Sequence, residues 1–158
     1  MDKNLKRSAG AELDALCAAL DERGWDYDKD KDNFSVGFLA DGADMPLSVS
    51  VKINPELMTL TAFIVLPFET PEDMDESLAV ALALINCGII HGNFDYDKAG
   101  RRLLFRASTS YRDSTLDKDV YFYLIAAAFS TADKIAATLK ALCDKIITVE
   151  QMIEALAR

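Results

Sequence analysis

Leu47, Val49, Val51 and Ile53 alternate without a break with Ser48, Ser50 and Lys52. A period of two puts the four apolar side chains on one face of an extended strand, whereas a helix would scatter them around its axis. Such a strand is half-buried, so the chain must supply strands beside it and a layer above it. Phe34, Val36 and Phe38 share one face of a preceding short strand, and the turn cluster Asp41-Gly42-Ala43-Asp44 separates the two. Asn54-Pro55 makes the next turn. A third strand over about 58–66 is apolar on both faces and is expected to be the most central of the three. The links are short, which implies an antiparallel meander.

Helical periodicity brackets these strands. Leu13, Leu16, Cys17 and Leu20 form one apolar stripe in a first helix over about 8–23, and Gly24 follows where a left-handed residue commonly ends a helix. Thr70-Pro71-Glu72-Asp73 reads as a second helix start, with Thr70 as cap and the acids at the positive end of the dipole. That helix runs to about Cys87, with Met74, Leu78, Ala81, Leu82 and Ile85 on one face and Gly88 near its end. Two more strands are expected over 92–96 and 102–110, joined by an Asp97-Lys98-Ala99-Gly100 hairpin turn. A long third helix begins near Leu116-Asp117 and ends near Ile147. Thr148-Val149-Glu150-Gln151 has capping-box spacing, so a short terminal helix starts there.

The order is α-β-β-β-α-β-β-α plus a short helix. The expected fold class is α+β, with a five-stranded, mostly antiparallel sheet carrying helices packed on it. The 158 residues fit one domain over 1–158, long enough to fold without disulfides or metals.

Charge and composition narrow the function classes. Lys+Arg total 17 against 26 Asp+Glu, a net charge of −9 that repels phosphate backbones and argues against nucleic-acid binding. Arg101, Arg102, Arg106 and Arg112 read as strand and turn edge charge. The start of the chain is charged and lacks the apolar stretch of a signal peptide. No segment is expected to reach the length of a membrane span, so neither export nor membrane insertion is expected. Cys17, Cys87 and Cys143 are far apart and odd in number, which fits reduced thiols in the cytoplasm.

Candidate chemistry is thin. Asp26, Asp28, Asp30 and Asp32 suggest calcium, but Lys31 and Gly37 stand where an EF-hand loop needs Gly and Glu, and a start at Asp28 fails likewise. The run is expected to be a solvated loop. His91, Asn93, Asp95 and Asp97 would share one face of a regular strand, and a His with two carboxylates could hold a divalent metal. Alternating polar residues are equally the wet face of a half-buried strand. Cys87 lies four residues from His91, the sole histidine, yet Gly88 breaks the helix between them. Cys17 and Cys87 otherwise read as small buried hydrophobes. Phosphate loops, nucleophile elbows, Cys-x-x-Cys and His-Glu-x-x-His are all missing, so no catalytic, metal or cofactor residue is assigned.

Three segments resemble a known family. They are Ala83-Leu84-Ile85-Asn86, then Gly92-Asn93-Phe94-Asp95-Tyr96-Asp97, then Gly100-Arg101-Arg102-Leu103-Leu104-Phe105-Arg106. The pattern is similar to the YbjN-like family of bacterial sensory transduction regulators. That resemblance implies a fold like that of the type III secretion chaperones, which are small, acidic and commonly dimeric proteins that hold extended segments of partners. It implies no enzyme chemistry.

The third helix carries more apolar surface than one stripe can bury. Tyr121, Phe122, Ile125 and Phe129 are the candidate protein-binding residues: a homodimer seam, or a groove for an amphipathic segment of a partner. The competing reading is that the first or the terminal helix covers that side. The expected function is a non-enzymatic, chaperone-like protein-binding or regulatory module, homodimeric and cytoplasmic. The alternatives are a dedicated type III secretion chaperone for one effector, and a small metal-binding protein or enzyme using His91, Asp95 and Asp97.

Overall fold

The computed structural model describes residues 3–114 and 116–156. The helices are α1 (Lys3–Glu22), α2 (Asp75–Cys87), α3 (Lys118–Cys143) and α4 (Val149–Leu156). The strands are β1 (Asp28–Asp30), β2 (Ser35–Asp41), β3 (Pro46–Asn54), β4 (Thr59–Glu69), β5 (Asn93–Asp97) and β6 (Arg102–Ser110). The sheet has six strands, in the order β1-β2-β3-β4-β6-β5, and every pair is antiparallel.

The expectation of five strands is corrected to six. The added strand lies in the aspartate run that was expected to be a solvated loop, and hydrogen-bonding chemistry accounts for it. Asp30 Oδ1 accepts from the backbone N–H of Asp32 and of Asn33, both at 3.0 Å, and Oδ2 accepts from Asn33 Nδ2 at 2.7 Å. The side chain thereby builds the turn that folds β1 back onto β2. Phe34, expected in the strand, sits in this turn at φ 51°, and β2 starts one residue later. The resulting edge strand is short and charged, which discourages pairing with another chain.

Leu47, Val49, Val51 and Ile53 all face the core, as their alternation demands. The register carries that face across the sheet: Val49 pairs with Ile64, Ile64 with Phe105, and Phe105 with Phe94. β4 lies between β3 and β6 and is central. The helices pack over this apolar face, α3 against β3, β4 and β6 and α2 against β5. Each fully buried leucine, such as Leu16, Leu20, Leu60 or Leu139, contributes roughly 1.5–3 kcal/mol. The opposite sheet face carries Ser48, Ser50, Lys52, Thr61 and Ser108, and the Thr61 and Ser108 hydroxyls meet at 2.9 Å.

Helix ends show where local chemistry holds and where it yields. Gly24 is left-handed at φ 64°. The capping box forms: Gln151 N–H donates to Thr148 Oγ1 at 3.3 Å, and Thr148 N–H donates to Gln151 Oε1 at 2.9 Å. Thr70 does not cap. It is buried, its hydroxyl donates to Tyr96 Oη at 3.2 Å, and a 3-10 turn over Glu72–Met74 precedes α2. The long helix stops at Cys143 rather than near Ile147, because Lys145 turns left-handed at φ 58° and Ile146 N–H bonds back to the Ala141 carbonyl. The expectation that no segment reaches membrane-span length is also corrected: α3 does, by length and composition. Here that apolarity serves the protein core, since its buried residues pack on three strands.

Candidate functional site

The residues that carry the family resemblance form a clamp. Asn86, in the last turn of α2, uses its side-chain amide as a substitute strand. Its Oδ1 accepts from Phe94 N–H at 2.8 Å, and its Nδ2 donates to the Phe94 carbonyl at 3.0 Å. Both backbone groups on the outer edge of β5 are thus satisfied at that residue. Gly92 has φ 94°, and a Cβ there would lie 2.4 Å from the Arg106 carbonyl oxygen and 2.7 Å from the Phe105 ring. Only glycine fits. Phe94 then stacks edge-on with Phe105 at 5.0 Å in the core. Fixed at Asn86 and at Gly92, the intervening loop packs Ile89 against the core and exposes Ile90 and His91.

The hairpin beyond is equally specified. Asp97 accepts from Gly100 N–H at 2.9 Å and from Arg102 at 2.6 Å, which holds its carboxyl below the usual range. Asp95 pairs with Arg106 at 2.6 Å. Arg101, at φ 52°, donates from Nε to the Thr70 carbonyl at 2.6 Å. Asp75 accepts from Tyr96 Oη at 2.6 Å and pairs with Lys98 at 2.7 Å; Lys98 first, then Tyr96, holds its carboxyl low. The carboxylates of the metal reading are therefore tied to arginines across the hairpin. His91 lies outside β5, and its ring meets Tyr123 edge-on at 5.8 Å. Among the described residues no three His, Cys, Asp or Glu side chains converge to hold a metal. Cys17 and Cys143 are buried, and burial pushes the Cys143 thiol up to about 11, far from a nucleophile's range. Cys87 is exposed, at the end of α2.

What the clamp holds in place is an apolar surface. Residues 77–90 include no charged side chain. Leu78, Ala81, Leu82 and Ile85 take the inner face of α2, leaving Ala79, Val80, Ala83, Leu84 and Cys87 exposed. Val80 is 54% exposed, Leu84 48% and Ile90 90%. Beside them runs a groove of about 550 Å³ between the end of α2, α3 and α4, lined by Leu84, Ile89, Ile90, Thr131, Lys134 and Ile153 among others. It continues past Ile90 and His91 into a second hollow of about 360 Å³ toward Val120 and Tyr123.

The four residues singled out on α3 occupy a different side. Tyr121, Phe122 and Ile125 are buried, and Phe129 is partly buried. Tyr121 Oη donates to Glu12 Oε1 of α1 at 2.7 Å, and both groups are inside the protein. Phe122 lies under the Arg23 guanidinium at 3.6 Å and 5.9 Å from the Trp25 ring. α1 and the segment after it therefore cover Tyr121 and Phe122. The surface sequence reasoning missed is the outer face of α2. Its signal was present as the uncharged run over 77–90, wider than the one stripe that α2 buries.

Comparison with known proteins identifies the family and the fold. The family model described as "Putative bacterial sensory transduction regulator", YbjN, matches residues 12–141. No curated protein matches the chain by sequence. Among solved structures, YbjN from E. coli is similar at TM-score 0.61 and 15% identity, over 84% of this chain and 92% of that one. The ExsC–ExsE complex is similar at TM-score 0.57 and 12% identity, over 79% and 91%. The Yersinia pestis type III secretion chaperone SycH, solved with a fragment of YscM2, is similar at TM-score 0.52 and 16% identity, over 81% and 98%. The fold is that of YbjN and the type III secretion chaperones, and the chain belongs to the YbjN family.

Proposed function

We propose that this chain is a non-enzymatic, chaperone-like protein-binding module with a regulatory role, acting in the cytoplasm as a homodimer. The observation that carries the reading is the exposed, uncharged outer face of α2, running into Ile90. A twofold interface sets a patch against its own copy. For a chain of net charge −9, an uncharged patch is the one that can meet itself without repulsion. Ala79 and Ala83 let two such helices approach closely, and Val80 and Leu84 supply apolar area. Of the side chains that offer catalysis or metal binding, Asp95 and Asp97 are engaged with arginines and Cys143 lies inside the core. Affinity capture under native conditions, followed by mass spectrometry, tests the module reading. The expected result is a protein partner retained by the wild type and lost on Val80→Glu or on a groove substitution. Retention of nothing by a folded wild type would sink it.

A second reading has its own support. SchA is solved with HopA1 as a chaperone–effector complex, and the SchA–HopA1 structure matches this chain at TM-score 0.56 and 13% identity. This favours a dedicated secretion chaperone for one effector. A captured partner that is never secreted would count against it.

A further inference from the structure

Resting on that protein-binding function, we propose that the groove along α3 receives an amphipathic helix of a second protein, apolar on its buried face and acidic where it passes Lys134. The floor of the groove is a stripe on α3: Val120, Tyr123, Ala127, Thr131, Lys134 and Ile135 recur at helical spacing. From 120 to 135 the stripe runs about 22 Å, the length of a helix of about 15 residues. This is the pattern by which a helix reads another helix lying in a groove. The middle of the stripe is small, with Ala127, Ser130 and Thr131, so an incoming backbone can come close. The Thr131 hydroxyl donates to the Ala127 carbonyl at 2.8 Å and leaves no unmet donor toward the groove. Walls stand on either side, Leu84 and Ile89–Ile90 on one and Ile153 and Leu156 of α4 on the other.

Charge selects the partner. The chain carries 26 Asp and Glu, yet among the described residues none lines either part of the groove. Lys134 is the single formally charged side chain there, and among the described residues it holds no carboxylate. Lys29, Lys98, Lys118, Lys140 and Lys145 each do. The outer face of α2 on a second copy would bring no carboxylate to Lys134, because residues 77–90 have none. An acidic helix of a different protein would supply it. A carboxylate beside the exposed Lys134 ammonium adds specificity and a favourable encounter rate more than raw affinity.

The test uses two fluorescent helical peptides of about 15 residues with leucines at i, i+4, i+7 and i+11, one flanked by glutamates and one by lysines. Binding is followed by anisotropy on the full chain. The expected result is that the acidic peptide binds about tenfold tighter than the basic one, and that Lys134→Glu reverses the order. Ala127→Trp, which fills the groove, is expected to abolish both, with far-UV circular dichroism confirming the fold. Leu39→Glu, on the exposed surface of β2 and away from both α2 and the groove, is expected to leave peptide affinity unchanged. No binding of either peptide below about 100 µM overturns the proposal. So does binding that Lys134→Glu leaves unaltered, or that Leu39→Glu abolishes. A wild type that forms dimers but binds no peptide sinks the groove reading alone; a monomer that binds the acidic peptide sinks the dimer alone.

Discussion

Replacing Tyr121 by Phe removes one oxygen from a buried site and with it the donor that Glu12 faces. Tyr121 is 1% exposed and Glu12 6% exposed, and their hydrogen bond of 2.7 Å is the contact that satisfies the Glu12 carboxyl. Burial raises the Glu12 pKa, with the Tyr121 hydrogen bond opposing it. The ring stays, so no packing is lost. What is lost is a hydrogen bond to a charged group, worth about 1.5–3 kcal/mol, and a buried carboxylate is left without a donor. For a domain of this size the melting temperature is expected to fall by about 3–12 °C. The pH dependence follows from the raised pKa. A carboxyl whose folded pKa lies above its unfolded value contributes stability that is fully present below the unfolded pKa and is lost as pH rises through the folded one. Tyr121→Phe deletes the contact that favours the ionised form, so its cost is expected to be larger at pH 7 than at pH 4. Urea unfolding at the two pH values measures this, with an unchanged slope showing that stability alone moved. A loss under about 0.5 kcal/mol at pH 7, or equal losses at both pH values, would refute the reasoning. If Tyr121 were a partner contact instead, the variant would weaken binding and leave stability alone.

Asn86→Ala leaves the Phe94 N–H without its partner and the Phe94 carbonyl with only the 3.4 Å contact from Asn93 Nδ2, and is expected to cost about 1–3 kcal/mol in urea unfolding, with the Ile89–Gly92 loop gaining amide exchange first. Gly92→Ala forces a Cβ against the Arg106 carbonyl at φ 94° and is expected to cost more than about 2 kcal/mol, read as a lowered melting temperature. A thiol reagent on the native chain at pH 7 is expected to modify Cys87 at once, and Cys17 and Cys143 only on unfolding.

Much of this fold is legible in the sequence because its strongest signals are local. The alternation over 47–53 places β3, the Thr148–Gln151 box places α4, and Gly24 places the end of α1. β1 was not legible, because a charged three-residue strand has no apolar face, and an Asp30 side-chain turn makes it. Thr70 carries a cap signature but is drawn into the Tyr96–Asp75 network by contacts remote in sequence. The same limit governs the site. Excess apolar surface on α3 was readable, but which element covers it was not. α1 takes the Tyr121 and Phe122 side, and the opening is left toward α2 and α4. The motif at Asn86 and Gly92 was readable as a pattern, and its physical meaning is a clamp on the groove's rim.

Light scattering on purified protein tests most directly whether the outer face of α2 is an interface. The wild type at micromolar concentration is expected to show twice the 17.4 kDa of one chain, and Val80→Glu, which would bury a carboxylate in that seam, to show a single chain. A wild type that stays at the mass of one chain, and also binds no hydrophobic probe, would contradict the proposed binding surface.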